Sequence, residues 1–333
     1  MGIFDFFSKK KSADDYYNEG VYFAELGQSS DAIDSYDMAI ALNPNNANAW
    51  SSRGLELDNL GQYFDALTSY DRAISINPNN AGAWYNRGNA LRGLGRHADA
   101  IGSYNKAISI KPDHFYAWLG HGIALFSLER YAESVDSYNK AMSINPSIAM
   151  GWSVRGNALL SLGRYAEAID SCEKAISINP NDANAWSFRG VALLSLGRYA
   201  ESVESYNKVI AINPYDSKVW YNRGIALLGL DRYAESVASY DNVISIKPDH
   251  GGAWSARGNA LLSLGRYAEA IDSCDKAISI NPNDANAWSF RGVALHHLGH
   301  YTEALTSHDR AIFINPDSVG LKQNRENALK KQI

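Results

Sequence analysis

Cysteine is almost missing from this chain. Two of its 333 residues, Cys172 and Cys274, are too few for a disulfide framework or a cysteine-based zinc site. Basic excess is missing too. The 31 Lys and Arg residues stand against 36 Asp and Glu, a formal net charge of -5. Without a basic patch, nothing in the composition points to nucleic acid as a partner. No apolar run approaches the ~20 residues that a bilayer crossing takes. The N-terminal MGIFDFFSKKK is no secretory leader, because its lysines follow the short apolar run instead of preceding it. Phe6 stands where a myristoylation pattern requires Ser or Thr. The expected location is therefore cytoplasmic. Gly-rich phosphate loops are absent, as are Ser/His/Asp and Cys/His constellations. The chain is expected not to be an enzyme and to need no cofactor.

Proline is scarce, and all nine copies keep one register: Pro44, Pro78, Pro112, Pro146, Pro180, Pro214, Pro248, Pro282 and Pro316. The eight tryptophans, Trp50 through Trp288, follow the same 34-residue spacing, and Tyr16 fills the slot before them. The stretch NPNDANAWSFRGVAL occurs twice, at Asn179–Leu193 and Asn281–Leu295, three periods apart. Nine units follow: 13–46, 47–80, 81–114, 115–148, 149–182, 183–216, 217–250, 251–284 and 285–318.

Numbered 1 to 34 within a unit, slots 4, 7, 11 and 14 fall at helical spacing and form an apolar face. Gly at slot 15 ends that helix. An acid at slot 19 opens a second one, which Pro at slot 32 stops. Gly at slot 8 is expected to pair with the small residue at slot 20 for close helix approach. Each unit thus reads as a helix-turn-helix hairpin.

Trp at slot 4, Gly at 8, Tyr at 17, Ala at 20, Tyr at 24, Ala at 27 and Pro at 32 resemble the tetratricopeptide repeat, over about nine-tenths of the chain. The resemblance implies an all-α, right-handed superhelical solenoid. The first helix of each hairpin would line a concave groove, and both ends would need solvating caps. Residues 319–333 carry a first-helix pattern in which Lys322 replaces Trp and Glu326 replaces Gly, as expected of a C-terminal capping helix.

If that geometry holds, slots 2, 5, 6, 9, 12 and 13 face the groove. Their only charges are Asp14, Glu25, Asp58, Arg92 and Lys218, with His296 and His297. Apolar residues and amides fill the rest. Slot 12 gives Phe126, Leu160, Leu194, Leu228 and Leu262; slot 6 gives Val154, Phe188 and Phe290; slot 5 gives Tyr85, Leu119 and Tyr221. Asn86, Asn89, Asn157, Asn222 and Asn259 lie between them. An amide donates and accepts at once, which suits a peptide backbone, and apolar neighbours supply side-chain pockets. The asparagine ladder of relatives such as the O-linked N-acetylglucosamine transferase is broken here. Slot 6 carries Asn only at Asn18, Asn86 and Asn222. The carboxylate clamp of chaperone-binding members is absent.

The expected function is a scaffold that binds a neutral to apolar segment of a partner protein. Self-assembly into a homo-oligomer is the alternative within the same class. A membrane-recruited adaptor is another, resting on Gly2–Lys11. In that segment Ile3, Phe4, Phe6 and Phe7 precede three lysines, and it could cap the first hairpin, touch an anionic membrane or enter a groove. The arginine column at slot 7 (Arg53 through Arg291) lies on the core side of the wheel and is expected to pack between hairpins. His296 and His300 do not form a metal site, since Gly299 ends the helix between them and no acid completes the set.

Overall fold

A computed structural model describes residues 11–329. Its contacts divide the chain into two units, Met1–Gly163 and Arg164–Ile333. The described part of the first holds α1 (Ala13–Glu25), α2 (Ser29–Leu42), α3 (Ala47–Asn59), α4 (Tyr63–Ile76), α5 (Ala81–Gly93), α6 (His97–Ile110), α7 (Phe115–Ser127), α8 (Tyr131–Ile144) and α9 (Ala149–Ser161). The second holds α10 (Tyr165–Ile178), α11 (Ala183–Ser195), α12 (Tyr199–Ile212), α13 (Ser217–Leu228), α14 (Tyr233–Ile246), α15 (Gly251–Ser263), α16 (Tyr267–Ile280), α17 (Ala285–His297), α18 (Tyr301–Ile314) and α19 (Val319–Leu329). Every described element is helical. We call the first helix of each hairpin A and the second B.

The A helices start where slot 34 supplies an acceptor. Asn46, Asn80, Asp182 and Asp284 each accept from the backbone N–H three residues on, and His114 and His250 do so through Nδ1. The A helices end at slot 15, where seven glycines sit at φ between +71° and +83°. Glu129 and Asp231 hold the same left-handed backbone at +60° and +57° without the glycine.

From the third hairpin on, Leu at slot 11 and the small or branched residues at slots 3, 10, 20 and 27 are buried. Each fully buried leucine contributes roughly 2 kcal/mol of transfer free energy. The glycine at slot 8 makes room chiefly for the slot 24 tyrosine, not only for slot 20. A Cβ on Gly224 would lie 2.6 Å from the Tyr240 ring, and one on Gly54 would lie 2.7 Å from Tyr70. Slot 20 adds a hydrogen bond instead: Ser236 Oγ donates to the Gly224 carbonyl at 2.8 Å. Most slot 14 leucines leave the expected core face, while Leu94, Leu230 and Leu264 still pack against core clusters. Leu26 is 56% exposed and Leu196 45% exposed. Leu26 and Leu196 are helix C-caps, so the chain has already turned away from the helical wheel there.

Hairpins join through a repeated bond set. Trp Nε1 donates to the slot 32 proline carbonyl of the preceding hairpin at all eight positions, as Trp220 does to Pro214 at 2.8 Å. The slot 7 arginine beside it bridges two B helices. Arg223 Nε donates to Asn207 Oδ1 at 2.8 Å, and Nη1 donates to Ser239 Oγ at 2.7 Å. Its guanidinium lies 5.7 Å from the Trp220 ring centroid. Arg53, Arg87, Arg257 and Arg291 repeat the bridge with an aspartate and a serine. The arginine column is thus engaged within the stack. At the last hairpin α19 packs on α18 and α17, burying Leu321 and Ala328.

Candidate protein-binding face

The A helices touch one another along the chain, α3 to α5, α5 to α7 and α7 to α9 in the first unit, α11 to α13 and α15 to α17 in the second. Their residues at slots 6, 9 and 12 lie along this seam. Tyr85, Asn86, Asn89, Phe126, Val154, Asn157 and Leu160 are all half-buried in the first unit. So are Phe188, Leu194, Tyr221, Asn222, Leu228, Asn259, Leu262 and Phe290 in the second. These side chains divide their surface between the seam and solvent. Leu228 and Leu262 pack against Val237, Leu261 and Ala294, and Leu194 packs against Val203 and Leu227. The leucine row is partly packing.

Leu119 requires a correction. It is only 3% exposed and presents almost nothing to a ligand. Slot 5 faces the start of the next A helix, which covers it. Tyr85 shows the direction, with its ring 5.0 Å from His114 and 6.5 Å from Tyr116. Tyr221 packs likewise on His250 at 5.2 Å, and Ser289 accepts from Asn324 Nδ2 at 3.2 Å. A single-helix wheel omits that neighbour. Exposed apolar residues at two outward slots of the A helices were passed over: Leu55 at 42%, Tyr116 at 50% and Met150 at 49%. They occupy slots 9 and 2, which the wheel had already placed outward, but they form no row of like residues.

Some of the polar groups are already engaged. Tyr104 Oη donates to Asn89 Oδ1 at 2.8 Å. Glu56, 5% exposed, accepts from Ser29 Oγ at 2.6 Å. Asp58 keeps Oδ1 buried without a hydrogen-bond partner. Burial raises its carboxyl above the usual carboxylate range, against the opposing pull of Arg92.

At the far end of the second unit, a cavity of about 200 Å³ is lined by Val293, His296, His297, His308, Asn324, Asn327 and Ala328. His308 replaces tyrosine at slot 24, is 1% exposed, and leaves Nδ1 buried without a partner. Burial first, and then the neighbouring His296, lower its pKa to about 4. The His297 ring stacks on Tyr267 at 4.5 Å. Among the described residues no group of three or more His, Cys, Asp or Glu is arranged to hold a metal ion. Burial pushes the Cys172 and Cys274 thiols up to about 12, well away from thiolate reactivity. No described helix is long and apolar enough to cross a membrane.

The hairpin geometry agrees with a comparison against protein families. A tetratricopeptide repeat model matches residues 51–115, 119–183, 153–217 and 221–285, more than half of the chain. The chain belongs to the tetratricopeptide repeat family. Two further models of the family match residues 20–57 and 273–306. Members of this family are generally interaction scaffolds without catalytic activity.

Solved tetratricopeptide structures share the fold. The C-terminal part of a repeat-containing protein from Cytophaga hutchinsonii aligns with a TM-score of 0.58 at 17% identity, covering 72% of this chain and 98% of that one. The Cut9–Hcn1 hetero-tetramer of APC/C gives a TM-score of 0.53 at 16% identity, covering 95% of this chain and 76% of that one. YrrB, described as a TPR protein with an unusual peptide-binding site, gives 0.51 at 24% identity, covering 56% of this chain and 97% of that one. No curated protein matches the chain.

Proposed function

We propose that this tetratricopeptide repeat protein is a non-enzymatic scaffold whose A-helix face holds an extended segment of a partner protein. One observation carries the reading. Slots 3, 8, 10, 11 and 24 seal the hairpins, yet slots 6, 9 and 12 keep apolar and amide side chains part-exposed along the seam. Part-exposed apolar rows mark interaction surfaces. The amides Asn86, Asn157, Asn222 and Asn259 supply donors and acceptors for a peptide backbone. The segment is neutral to apolar where it crosses the leucine row. Leu119 is left out of this face, and α19 serves as the end cap. YrrB supports the reading only to the extent that its fold, with a peptide-binding site, is similar.

The test is a paired affinity capture from a lysate. One bait is the native chain and the other carries Phe188→Ser and Phe290→Ser, with folding checked by circular dichroism. A protein retained by the native bait alone supports the face. Identical sets on both baits place the binding surface elsewhere, for example on the B helices, where Phe64 is 72% and Phe313 is 75% exposed.

Self-assembly has one observation of its own. Tyr22 on α1 is 59% exposed at slot 10, where later A helices carry buried alanines such as Ala90 and Ala226. A second copy could cover that ring. Sedimentation of the native chain and a Tyr22→Ser variant over a range of concentrations separates this reading from a monomeric scaffold. The membrane and capping readings of Gly2–Lys11 fall on a segment of which residues 2–10 lie outside the described part.

A further inference from the structure

The binding face is not uniform, and its first unit carries a charge pattern. On α3, slots 9 and 12 hold Leu55 and Asp58; on α5 they hold Asn89 and Arg92; on α7 they hold Ile123 and Phe126. Because α3 touches α5 and α5 touches α7, slot 12 runs acid, base, aromatic across three neighbouring helices. From α9 onward the same slot is leucine in four successive hairpins.

Asp58 is half-buried, and its Oδ1 is buried without a donor. Arg92 is exposed and near enough to pull on the Asp58 carboxyl, yet burial still raises that carboxyl. Part-burial reduces solvent screening, so this carboxylate attracts an incoming cation more strongly than a fully exposed one does. Leu55, 42% exposed, flanks Asp58 one turn earlier and can cover the aliphatic stem of such a cation.

We propose that Asp58, Arg92 and Phe126 form a register-setting subsite for a partner segment whose side chains run basic, acidic, apolar. This inference rests on the A-helix face being the binding face. Packed helices lie about 8–10 Å apart, and an extended chain advances about 3.3 Å per residue. The three side chains therefore recur at intervals of about three residues. The subsite places the charged end of the segment over α3 and α5 and leads its apolar remainder toward Leu160 on α9, within the same unit. Charge order, more than hydrophobicity, then selects among apolar segments that the later hairpins alone would not distinguish.

The test uses the full chain and short random peptides displayed on phage, followed by solution binding of the recovered sequences. Peptides with the basic, acidic, apolar order are enriched. Exchanging the basic and acidic residues within one of them weakens binding by at least about tenfold, as a like-charge juxtaposition should. Arg92→Glu, at an exposed position, reverses the preference at the acidic position without threatening the fold. Asp58→Asn, of nearly the same shape, removes the preference for the basic residue. Peptides that bind this face but tolerate the exchange within about twofold, far less than a like-charge penalty, overturn the subsite and leave the scaffold reading standing. If no peptide is recovered from the A-helix face, both fail together.

Discussion

The indole Nε1 of Trp186 donates to the carbonyl of Pro180 at 2.8 Å, across the link between one hairpin and the next. Proline stops the B helix and leaves its own carbonyl without a helical donor. The tryptophan six residues later supplies one. The bond recurs at every tryptophan, so each hairpin entry is fixed by the residue that ended the previous hairpin. Trp220→Phe keeps most of the apolar contact and removes the bond. It should cost about 1–2 kcal/mol, combining a lost hydrogen bond with a small packing defect. Hydrogen exchange in α12 and α13 should rise, while exchange in α17 and α18 stays at the native rate.

Glu129 holds a backbone conformation that seven sister positions leave to glycine. A non-glycine residue there costs roughly 1–2 kcal/mol in intrinsic preference. Part of that is offset by the unfolded-state entropy of glycine, so Glu129→Gly should stabilise the chain by about 0.5–1 kcal/mol in chemical denaturation. Asp231→Gly should gain less, because Asp231 also accepts from the Tyr233 hydroxyl. Equal gains at both positions would show that this hydrogen bond contributes nothing.

Gly224 has no room for a methyl group, since its Cβ would sit 2.6 Å from the buried Tyr240 ring. Gly224→Ala should destabilise by about 1–3 kcal/mol through overpacking. Gly102, with nothing within 4 Å of the equivalent position, should accept alanine without loss. The pair separates a packing role of slot 8 from a general helix-propensity effect, which would favour alanine at both sites.

His308 gives the last hairpin a pH dependence. Its pKa is lowered from 6.5 to about 4, so between those values the unfolded chain binds the proton that the folded chain refuses. The contribution is intact above pH 6.5 and is lost as pH falls toward 4. Exchange in α17, α18 and α19 should therefore quicken across that window. His308→Tyr, restoring the residue of six sister slots, should abolish that acceleration. His121, whose pKa is also lowered by burial, gives α7 a dependence of the same sign.

The hairpins were legible in the sequence because proline, tryptophan and glycine each answer a local demand: a helix stop, a large apolar contact, a left-handed turn. Those demands recur with the period and need no partner from elsewhere. The partners themselves were not legible. Nothing in a helical wheel shows that Trp186 reaches the Pro180 carbonyl, or that Arg223 bridges Asn207 and Ser239. Leu119 was misplaced for the same reason, since the following A helix covers slot 5 and the wheel knows only its own helix. Most slot 14 leucines, read as core, are exposed where the helix ends, while Leu94, Leu230 and Leu264 keep part of that packing. The half-burial of Leu194, Leu228 and Leu262 likewise follows from the stack of neighbours.

The most direct measurement of the central claim is site-specific photo-crosslinking in cells of the source organism. A benzophenone amino acid replaces Phe188 or Asn222 on the A helices, or Phe64 or Phe313 on the B helices, one position at a time. The account predicts that positions 188 and 222 capture one and the same partner protein, and that 64 and 313 capture none of it. Capture of that partner from 64 or 313 alone would contradict the account and move the binding surface to the B-helix side.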